Sequence, residues 1–431
     1  MCFHRTGTGE RLVFREVYTD NNSPQHLLLL NYFKSTLALS NCHTLLDATR
    51  VLTAGERMSN LRAIVVGSGW AAEGHARALQ HHEVSIAALC GRTPEPAYAL
   101  VARLGIPEVR FGWQDAIDTL KPDIVCIATP AAPHLDIATA AMTAGCHVVC
   151  EKPLALTATE AHVMFTTAPR MGVRHAYAAT GYAHPIYTAA RDLILGGAVG
   201  QMREIESFIQ IRDAERTPYS WVHQLEQGGG MLNNIFPHQL QQLTYVTGAE
   251  VVAATGDARP LQARVPFVGD VHDFCQLFMP LTDEQLARAE WREPTVDVAY
   301  SVVVKLRFPD ASEATALVHL THGPGRLQPS RLVLHGERGS VALEGDMWTN
   351  ERLRRFNEGW EEVDVPVGVG DPVQAQWDQF FGAFLDDVRG HPSEPYPTFE
   401  DGWVAAEVIG AMREGRWWRC AERIAVADGG S

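Results

Sequence analysis

The chain has 431 residues, which is long enough for two folded domains. Hydrophobic residues make up 46% and charged residues 20%, the balance of a globular protein, and 51 acidic against 36 basic residues leave a formal net charge of −15. This negative charge argues against a nucleic-acid partner and against binding to an anionic membrane surface.

The spacing of cysteines and histidines and the hydropathy of the chain indicate its cellular compartment and whether it binds a metal. The eight cysteines include no Cys-x-x-Cys pair, and several lie in apolar, strand-like runs, which favours reduced thiols over a disulfide framework. The apolar segment at 26–39 is interrupted by Asn31 and Lys34, so it predicts neither a membrane span nor a secretory signal. His81 and His82 have no partner at metal-ligand spacing. We therefore expect a cytoplasmic protein without a metal site.

The elements are predicted in chain order from hydrophobic periodicity. Residues 1–59 lack sustained periodicity and are interpreted as an extension of unknown role. A first domain over 61–185 alternates strands with helices, which indicates a doubly wound parallel sheet of βαβ units. The predicted strands are 61–66, 84–90, 124–128 and 147–150, and the predicted helices are 71–82, 98–104 and 135–144.

The second half of the chain has a different pattern. Segments of alternating polarity predict an α/β domain over 186–375 with an open, mostly antiparallel sheet. Residues 266–294 are predicted to be an insertion loop with a short helix, and C-terminal helices over 376–420 are expected to pack between the domains. The predicted strands are 203–212, 251–256, 298–308, 314–322, 331–335 and 340–343, and the last helices are 371–389 and 403–414. The open sheet face predicts a homo-oligomer, a dimer or tetramer.

A glycine-rich loop joins the first predicted strand to the first helix. It reads Gly67-Ser68-Gly69-Trp70-Ala71-Ala72. Gly67 permits a tight turn, Gly69 permits a close approach to a pyrophosphate, and Ala72 allows the helix to pack closely on the strand. The helix N-terminus then offers unpaired N–H groups to phosphates. An ordinary βα turn is the alternative, but the strand–loop–helix context favours dinucleotide binding.

The end of the second predicted strand indicates which dinucleotide is bound. An NAD site has an acidic residue there to bind the ribose 2′-hydroxyl. This chain has Gly91, Arg92 and Thr93 instead, and Arg92 with Thr93 is suited to a 2′-phosphate. An exposed arginine beside a turn is the alternative. The sequence therefore favours NADP over NAD.

Further motifs make the chain resemble the glucose-fructose oxidoreductase / inositol dehydrogenase / rhizopine catabolism (Gfo/Idh/MocA) family from about residue 61 to 419. They are the glycine loop with His75, Ile127-Ala128-Thr129-Pro130 with His134, Glu151-Lys152-Pro153, Pro185, the Gly196–Gly200 turn, Trp221, Gly228-Gly229-Gly230, His238, and Thr398-Phe399-Glu400-Asp401-Gly402. The resemblance implies that Ala128, Thr129, Pro130, His134 and Glu151 lie at the cofactor.

Two residues are candidates for catalysis. Lys152 follows the carboxyl end of a predicted strand, where ligands of doubly wound sheets bind, and its amine can exchange a proton with a substrate hydroxyl. The resemblance gives it that role; a surface lysine is the alternative. The resemblance also implies that His238 lies in the substrate pocket and passes a proton, while a buried structural histidine is the alternative.

Three positions near these residues are predicted to contact the substrate. The resemblance places Trp221 beside the pocket. Many members of the family have Asp where this chain has Asn234, and an amide orients a hydroxyl by hydrogen bonds without accepting its proton. Tyr182 stands where many relatives have Arg, and it either contacts substrate or packs. Trp70 is expected to pack over the cofactor edge or against the second domain.

The sequence thus predicts hydride transfer between NADP(H), or NAD(H), and a secondary alcohol or ketone of a sugar, cyclitol or related polyol. Two alternatives remain open within the resembling family. One is a glycosidase that uses NAD for transient oxidation, and the other is a non-catalytic regulator that senses a dinucleotide. The loss of the Asp at Asn234 mildly favours the regulator, whereas Lys152 and His238 favour an enzyme.

Overall fold

The computed structural model describes residues 60–212, 216–260, 263–271, 280–323, 329–345, 350–366 and 370–420. The predicted extension at 1–59 lies outside the described residues, as does part of the predicted insertion. The described chain contains two large sheets, a two-stranded ribbon and the helices.

The first sheet and its helices occupy the part of the chain before residue 196. Its strands are β1 (Arg62–Val66), β2 (Ser85–Cys90), β3 (Val109–Arg110), β4 (Ile124–Ile127), β5 (His147–Cys150) and β6 (His175–Tyr177). Its helices are α1 (Trp70–His81), α2 (Pro94–Leu104), α3 (Trp113–Leu120), α4 (His134–Thr143) and α5 (Ala158–Met171). Helix α6 (Pro185–Leu195) follows them and packs on elements of the second half of the chain.

This first sheet has the Rossmann strand order. The order is β3-β2-β1-β4-β5-β6, and the recorded pairings are parallel. Helices cover both faces, so β1 and β4 bury nearly every side chain, as their continuous apolar sequences require. The order reverses between β1 and β4, and ligands of such sheets bind at the carboxyl ends beside that point. The predicted parallel doubly wound sheet is confirmed.

The second sheet follows in the chain. Its strands are β7 (Met202–Arg212), β8 (Glu250–Arg259), β11 (Ala299–Arg307), β12 (Glu313–Gly323), β13 (Ser330–Gly336), β14 (Ser340–Gly345), β15 (Asn350–Phe356), β16 (Trp360–Val363) and β17 (Trp418–Arg419), with β9 (Val265–Phe267) and β10 (Glu290–Arg292) in a separate ribbon. The helices here are α7 (Met231–Asn234), α8 (Phe236–Thr247), α9 (Asp283–Arg288), α10 (Pro372–Val388) and α11 (Phe399–Arg413).

The strands of the second sheet are mostly antiparallel, as predicted. Their order is β16-β15-β14-β13-β7-β12-β11-β8-β17, and β7 with β12 is a parallel pair within it. Burial alternates along β12: Ala316, Val318 and Leu320 are buried, whereas Leu317 is exposed. One face therefore packs on helices and the other is open, the pattern of a half-covered sheet.

Several elements differ in extent from the prediction, and local chemistry explains why. Helix α2 begins at Pro94, because proline is favoured in the first turn of a helix. Helix α11 begins at Phe399, because the Thr398 side chain accepts from the helix backbone in a capping box. The predicted insertion contains the antiparallel β9–β10 ribbon as well as the short helix α9.

The C-terminal helices pack on elements of the Rossmann half and of the second half. Helix α10 packs on α1 of the first half, and α11 packs on α5 and on β8 of the second. Within the described ranges, no helix combines the length and the apolar character that crossing a bilayer requires.

Candidate active site

The glycine loop has the geometry that a dinucleotide requires. Gly67 has φ +132°, and a Cβ there would lie 2.3 Å from the Ala128 carbonyl oxygen at the end of β4. Gly69 is the N-cap of α1, and because it is glycine it supplies no side-chain cap to the start of the helix. Such a terminus binds phosphate well. The loop residues therefore fit a bound pyrophosphate.

Trp70 in the same loop packs against the C-terminal helices. Its ring lies 4.6 Å from that of Trp377 on α10, centroid to centroid. The neighbouring Gly74 gives Trp377 room, since a Cβ at that glycine would lie 2.0 Å from the ring. The structure therefore packs Trp70 against helix α10, just after the range predicted for the second domain.

The end of β2 has no acidic side chain and no space for one at Gly91. A Cβ at Gly91 would lie 2.6 Å from the Cβ of Ala97. The Arg92 side chain is exposed, and Thr93 is the N-cap of α2 with no side-chain cap bond in the described structure. This end of the strand therefore presents a cation and a hydroxyl where an NAD site presents a carboxylate.

His134 joins the loop after β4 to the loop after β5. Its Nδ1 lies 3.0 Å from the Pro153 carbonyl and 3.2 Å from that of Leu154, and its Nε2 lies 2.9 Å from the Thr129 carbonyl. Burial lowers the pKa of His134. The fully buried ring therefore joins the loops after β4 and β5, and its position at the cofactor stays a prediction.

Glu151 connects the phosphate-loop helix to the loop after β5. Its Oε1 accepts from His75 Nε2 of α1 at 3.1 Å, and its Oε2 accepts from the Lys152 backbone N–H at 3.1 Å. Burial by itself raises the pKa of Glu151, but the hydrogen bond from His75 and the charge of Lys152 outweigh it, and the pKa is lowered. Glu151 is therefore a buried carboxylate at neutral pH.

Lys152 meets a side chain from the second half of the chain. Its Nζ donates to Asn234 Oδ1 at 3.3 Å, and the Lys152–Pro153 peptide bond is cis. Burial lowers the pKa of the Lys152 ammonium, and the Glu151 carboxylate partly opposes this. The Asn234 Nδ2 donates to the Gly230 carbonyl at 2.8 Å, which fixes the amide with its oxygen toward Lys152. An amide, unlike a carboxylate, satisfies both contacts.

His238 is held in one tautomer beside this pair. Its Nδ1 accepts from the Gly181 backbone N–H at 3.1 Å, so the ring hydrogen is on Nε2. Burial and the charge of Lys152 lower the pKa of His238 to about 3. Glycine at 181 suits this approach, because a Cβ there would lie only 3.2 Å from the His238 Cβ. His238 is therefore a neutral hydrogen-bond donor.

The glycine triplet brings the second half of the chain against the loop after β5. Gly228 has φ +82°, and a Cβ there would lie 2.6 Å from the Ala131 Cβ and 3.3 Å from Pro153 Cγ. The Ala131 backbone N–H also donates to the Gln227 carbonyl. Gly228 therefore lets the backbone of the triplet lie directly against Ala131 and Pro153.

The two remaining predicted substrate contacts differ in exposure. Tyr182 is fully buried, its ring lies 4.7 Å from that of Tyr245, and burial raises its pKa. The packing alternative fits this position. Trp221 lies in a short 3₁₀ turn (Trp221–His223) and stays partly exposed just before the glycine triplet.

Sequence reasoning missed residues that hold these groups in place. It gave His75 no contact with Glu151, and it did not single out Gly181, Asp297 or Arg413. The Gly-x-Gly-x-x-Ala loop with His75 was visible as a spacing. The others belong to no local motif, since Asp297 and Arg413 are 116 residues apart in sequence and meet only in the fold.

Taken together, a partly buried amine of lowered pKa, a neutral imidazole N–H and an oriented amide meet at the carboxyl ends of the Rossmann strands. Such a set can bind a hydroxyl or carbonyl oxygen and exchange its proton. The phosphate loop and the open end of β2 lie along the same strand ends and fit a dinucleotide.

Sequence comparisons agree with this geometry. A family model described as an oxidoreductase family with an NAD-binding Rossmann fold matches residues 61–179, and the GFO/IDH/MocA C-terminal domain matches residues 187–342. Levoglucosan dehydrogenase of Pseudarthrobacter phenanthrenivorans is 26% identical over 404 residues, 83% of this chain and 96% of that protein. D-glucoside 3-dehydrogenase of Escherichia coli K12 is 29% identical over 199 residues, 45% of this chain and 56% of that protein.

Solved structures share the fold. Levoglucosan dehydrogenase in complex with NADH and L-sorbose gives a TM-score of 0.70 at 20% identity, over 84% of this chain and 98% of that one. An oxidoreductase domain protein from Kribbella flavida gives 0.70 at 22% identity, over 84% and 100%. The two family matches cover the first sheet and the second sheet as far as β14, and they confirm the resemblance drawn from the motifs. The chain therefore belongs to the Gfo/Idh/MocA family of oxidoreductases, with an NAD-binding Rossmann fold in its first half.

Proposed function

We propose that this oxidoreductase transfers a hydride between NADP(H), or NAD(H), and a secondary alcohol or ketone of a sugar, cyclitol or related polyol. The observation that carries the proposal is the 3.3 Å contact between Lys152 Nζ and Asn234 Oδ1. It joins the strand end of the Rossmann half to the helix pair that carries His238, so the amine, amide and imidazole converge at one place.

The substrate class rests on the relatives and on the polar groups of the site. Two similar proteins are named for levoglucosan and D-glucosides, which are sugar derivatives with several secondary hydroxyls. Lys152, Asn234 and His238 supply both donors and an acceptor within a small region. Sites that hydrogen-bond several hydroxyls discriminate strongly against substrates that lack them.

Lys152 is the group that carries the proton. When bound, the nicotinamide takes or gives the hydride at the carbon of the alcohol or ketone. Because burial lowers the pKa of Lys152, a larger share of the amine is neutral at a given pH than in water, and the neutral amine accepts the hydroxyl proton during oxidation. In the reverse direction the ammonium returns the proton to the substrate oxygen.

His238 orients the substrate and Asn234 positions the Lys152 amine, and neither accepts the substrate's proton. With its Nδ1 bonded to the Gly181 N–H, His238 presents only an N–H at Nε2 and donates it to the substrate oxygen. The Asn234 oxygen holds the Lys152 amine, and its Nδ2 is occupied by the Gly230 carbonyl. This division of roles gives each of the three residues one task.

NADP is proposed over NAD because of the end of β2. Gly91 leaves no carboxylate to repel a 2′-phosphate. The exposed Arg92 offers a cation, and the Thr93 hydroxyl, which makes no cap hydrogen bond to α2, offers a donor. The phosphate loop residues 67–72 would hold the pyrophosphate, and Ala128, Thr129 and Pro130 after β4 would border the nicotinamide half.

A second copy of the chain is proposed to cover the open face of the second sheet. Leu317 is 45% exposed there and is paired across the strands with Val303, while the Phe208 ring stacks on that of His319. An exposed sheet face with apolar side chains is a common oligomer surface. Light scattering on the purified protein and on Leu317→Glu tests it: the variant is expected to dissociate.

Two measurements test the proposed reaction. The first compares the affinities for NADPH and NADH by fluorescence and then screens sugars, cyclitols and ketones by absorbance of the reduced nicotinamide. The second compares Lys152→Met with Lys121→Met, which removes the amine of an exposed surface lysine. Lys152→Met is expected to lower kcat by about 10²–10⁴-fold, with the cofactor Kd changed less than about threefold.

Each outcome decides between specific functions. Turnover of a polyol that is lost in Lys152→Met and retained in Lys121→Met supports the proposal. Nearly intact turnover in Lys152→Met refutes the role of Lys152. Tight cofactor binding without reduction or oxidation of any substrate favours a regulator, and glycoside cleavage without net redox change favours a glycosidase.

A further inference from the structure

Asp297 lies at the point where the insertion with the β9–β10 ribbon returns to the second sheet. It is buried just before β11, next to the glycine triplet that precedes α7. Its carboxylate is surrounded by groups that belong to the site's supporting structure, and none of these contacts is used by the proposed chemistry.

The Asp297 side chain and backbone hold the beginning of α7. Its Oδ2 accepts from the Leu232 N–H at 2.7 Å, and its carbonyl oxygen accepts from the Met231 N–H at 3.0 Å. These are two of the N–H groups that a helix start leaves unpaired. Gly230 has φ +97°, and a Cβ there would lie 2.9 Å from Asp297 Oδ1, so the backbone is in direct contact with the carboxylate.

Arg413, near the end of α11, completes the arrangement. Its Nη2 donates to Asp297 Oδ1 at 2.8 Å, and its Nη1 donates to Asn233 Oδ1 at 3.3 Å. The Asn233 Nδ2 in turn donates to the Gly229 carbonyl at 2.9 Å. The guanidinium therefore joins the carboxylate and α7 from the side of the C-terminal helix.

We propose that Asp297 and Arg413 form a positioning pair that holds α7 so that the Asn234 oxygen meets the Lys152 amine. The inference rests on the proposed function, because it assigns the pair to the contact that carries that function. Neither residue touches a substrate or reacting atom in this assignment. Asp297 acts through the backbone of Met231 and Leu232, and Arg413 acts through Asp297 and the Asn233 side chain.

The physical reason is that α7 is too short to hold its own orientation. It has four residues and follows three glycines, which have the greatest backbone freedom of any residue. Its start is therefore fixed by bonds from outside rather than by its own ladder. An error of about 1 Å in such a support is enough to lower a catalytic rate by about 10²-fold.

The test uses Asp297→Asn and Arg413→Gln, alone and together, in the full-length protein. The matched control is Arg354→Met, which breaks another partly buried ion pair, with Glu344, between β15 and β14. For each protein we would measure kcat, KM, the Kd for NADPH, and amide hydrogen exchange of the 229–236 segment without any ligand.

The expected result concerns activity, amide exchange, the coupling of the two residues and the control. Each single variant lowers kcat at least about tenfold while the NADPH Kd changes less than about twofold, because the Rossmann half is untouched. Amide exchange at 229–236 becomes faster in the same variants. The double variant is no worse than the worse single one, since the two residues act as a unit. Arg354→Met leaves kcat and the exchange of this segment unchanged.

Unchanged amide exchange at 229–236 in a folded Asp297→Asn protein would overturn the proposal, and so would an equal loss of kcat in Arg354→Met. If Asp297→Asn does not fold, Arg413→Gln decides alone, because its side chain is less buried than that of Asp297. If the wild-type protein transfers no hydride to any substrate, the proposed function fails, while the exchange measurement still decides whether the pair holds α7.

Discussion

The sharpest prediction concerns Asn234→Asp, which places a carboxylate beside the catalytic amine. The change adds about one unit of charge with almost no change in volume. It also replaces the Nδ2 donor by an oxygen, so the hydrogen bond to the Gly230 carbonyl is lost. Two buried oxygens would then face each other, which costs about 1–3 kcal/mol of folding free energy.

The magnitude follows from the 3.3 Å separation of Lys152 Nζ and Asn234 Oδ1. Two unit charges at that distance attract each other by about 5 kcal/mol at an effective dielectric constant of about 20. Desolvation of the new carboxylate cancels part of this. A net gain of about 1.4 kcal/mol is enough to move a titration by about one pH unit, or tenfold at fixed pH.

A change in the pKa of Lys152 affects alcohol oxidation and ketone reduction in opposite directions. In the wild-type protein burial lowers the pKa of Lys152, so alcohol oxidation gains rate as pH rises through that lowered pKa. The Asn234→Asp carboxylate raises the pKa of Lys152 and moves this rise to higher pH. Oxidation near neutral pH therefore slows at least about tenfold and recovers at alkaline pH, whereas ketone reduction persists to higher pH.

The assay is the pH dependence of kcat/KM for oxidation and reduction of the same substrate pair. Asn357→Asp is the control, because it makes the same chemical change at an exposed turn between β15 and β16. Faster oxidation by Asn234→Asp at neutral pH would refute the reasoning, since the new carboxylate would then be the base. An unshifted profile would show that Lys152 does not carry the proton.

Three further changes test the cofactor site and the packing around it. Arg92→Ala is expected to weaken NADPH binding about tenfold or more and NADH binding little, as measured by fluorescence titration; equal loss for both would remove the 2′-phosphate role. Gly228→Ala is expected to lower kcat/KM about 10²-fold, because its Cβ would lie 2.6 Å from the Ala131 Cβ, whereas Gly248→Ala, also at positive φ but with only ordinary contacts, is expected to leave kcat/KM unchanged. Gly74→Ala is expected to lower the unfolding free energy in urea by about 1–3 kcal/mol, since its Cβ would lie 2.0 Å from a tryptophan ring on α10; unchanged stability would show that this ring moves freely.

The Rossmann half was largely predictable because its signals are local. The strands at β1, β2, β4 and β5 are continuous apolar runs, and the glycine loop marks the first turn directly. Helix α5 was missed although its capping box, Thr157 with Glu160, is a recognisable start signal. Its apolar positions are interrupted by polar residues, which weakens the helical period.

The second half was predictable in its strands but not in their arrangement. Alternating polarity located β7 and β12, but nothing in either segment shows that they pair in parallel. That pairing joins residues about 110 positions apart, such as Glu204 and Thr315, and it depends on the connections between strands. Strands β15 and β16 were not predicted because they are rich in charged residues, which hides the alternation of polarity.

The sequence by itself determined the chemistry that is available: a phosphate loop, an amine after β5, an imidazole, and an amide in place of a carboxylate. Those are properties of residue types within short motifs. Only the tertiary structure decided what the groups do. Gly181 sets the tautomer of His238, and Gly230 turns the Asn234 oxygen toward Lys152. The contact of Gly181 with His238 and that of Lys152 with Asn234 join residues 57 and 82 positions apart, so no local pattern encodes them. The bond between Asn234 and Gly230 is local, but it lies on a backbone that contacts from distant residues hold in place.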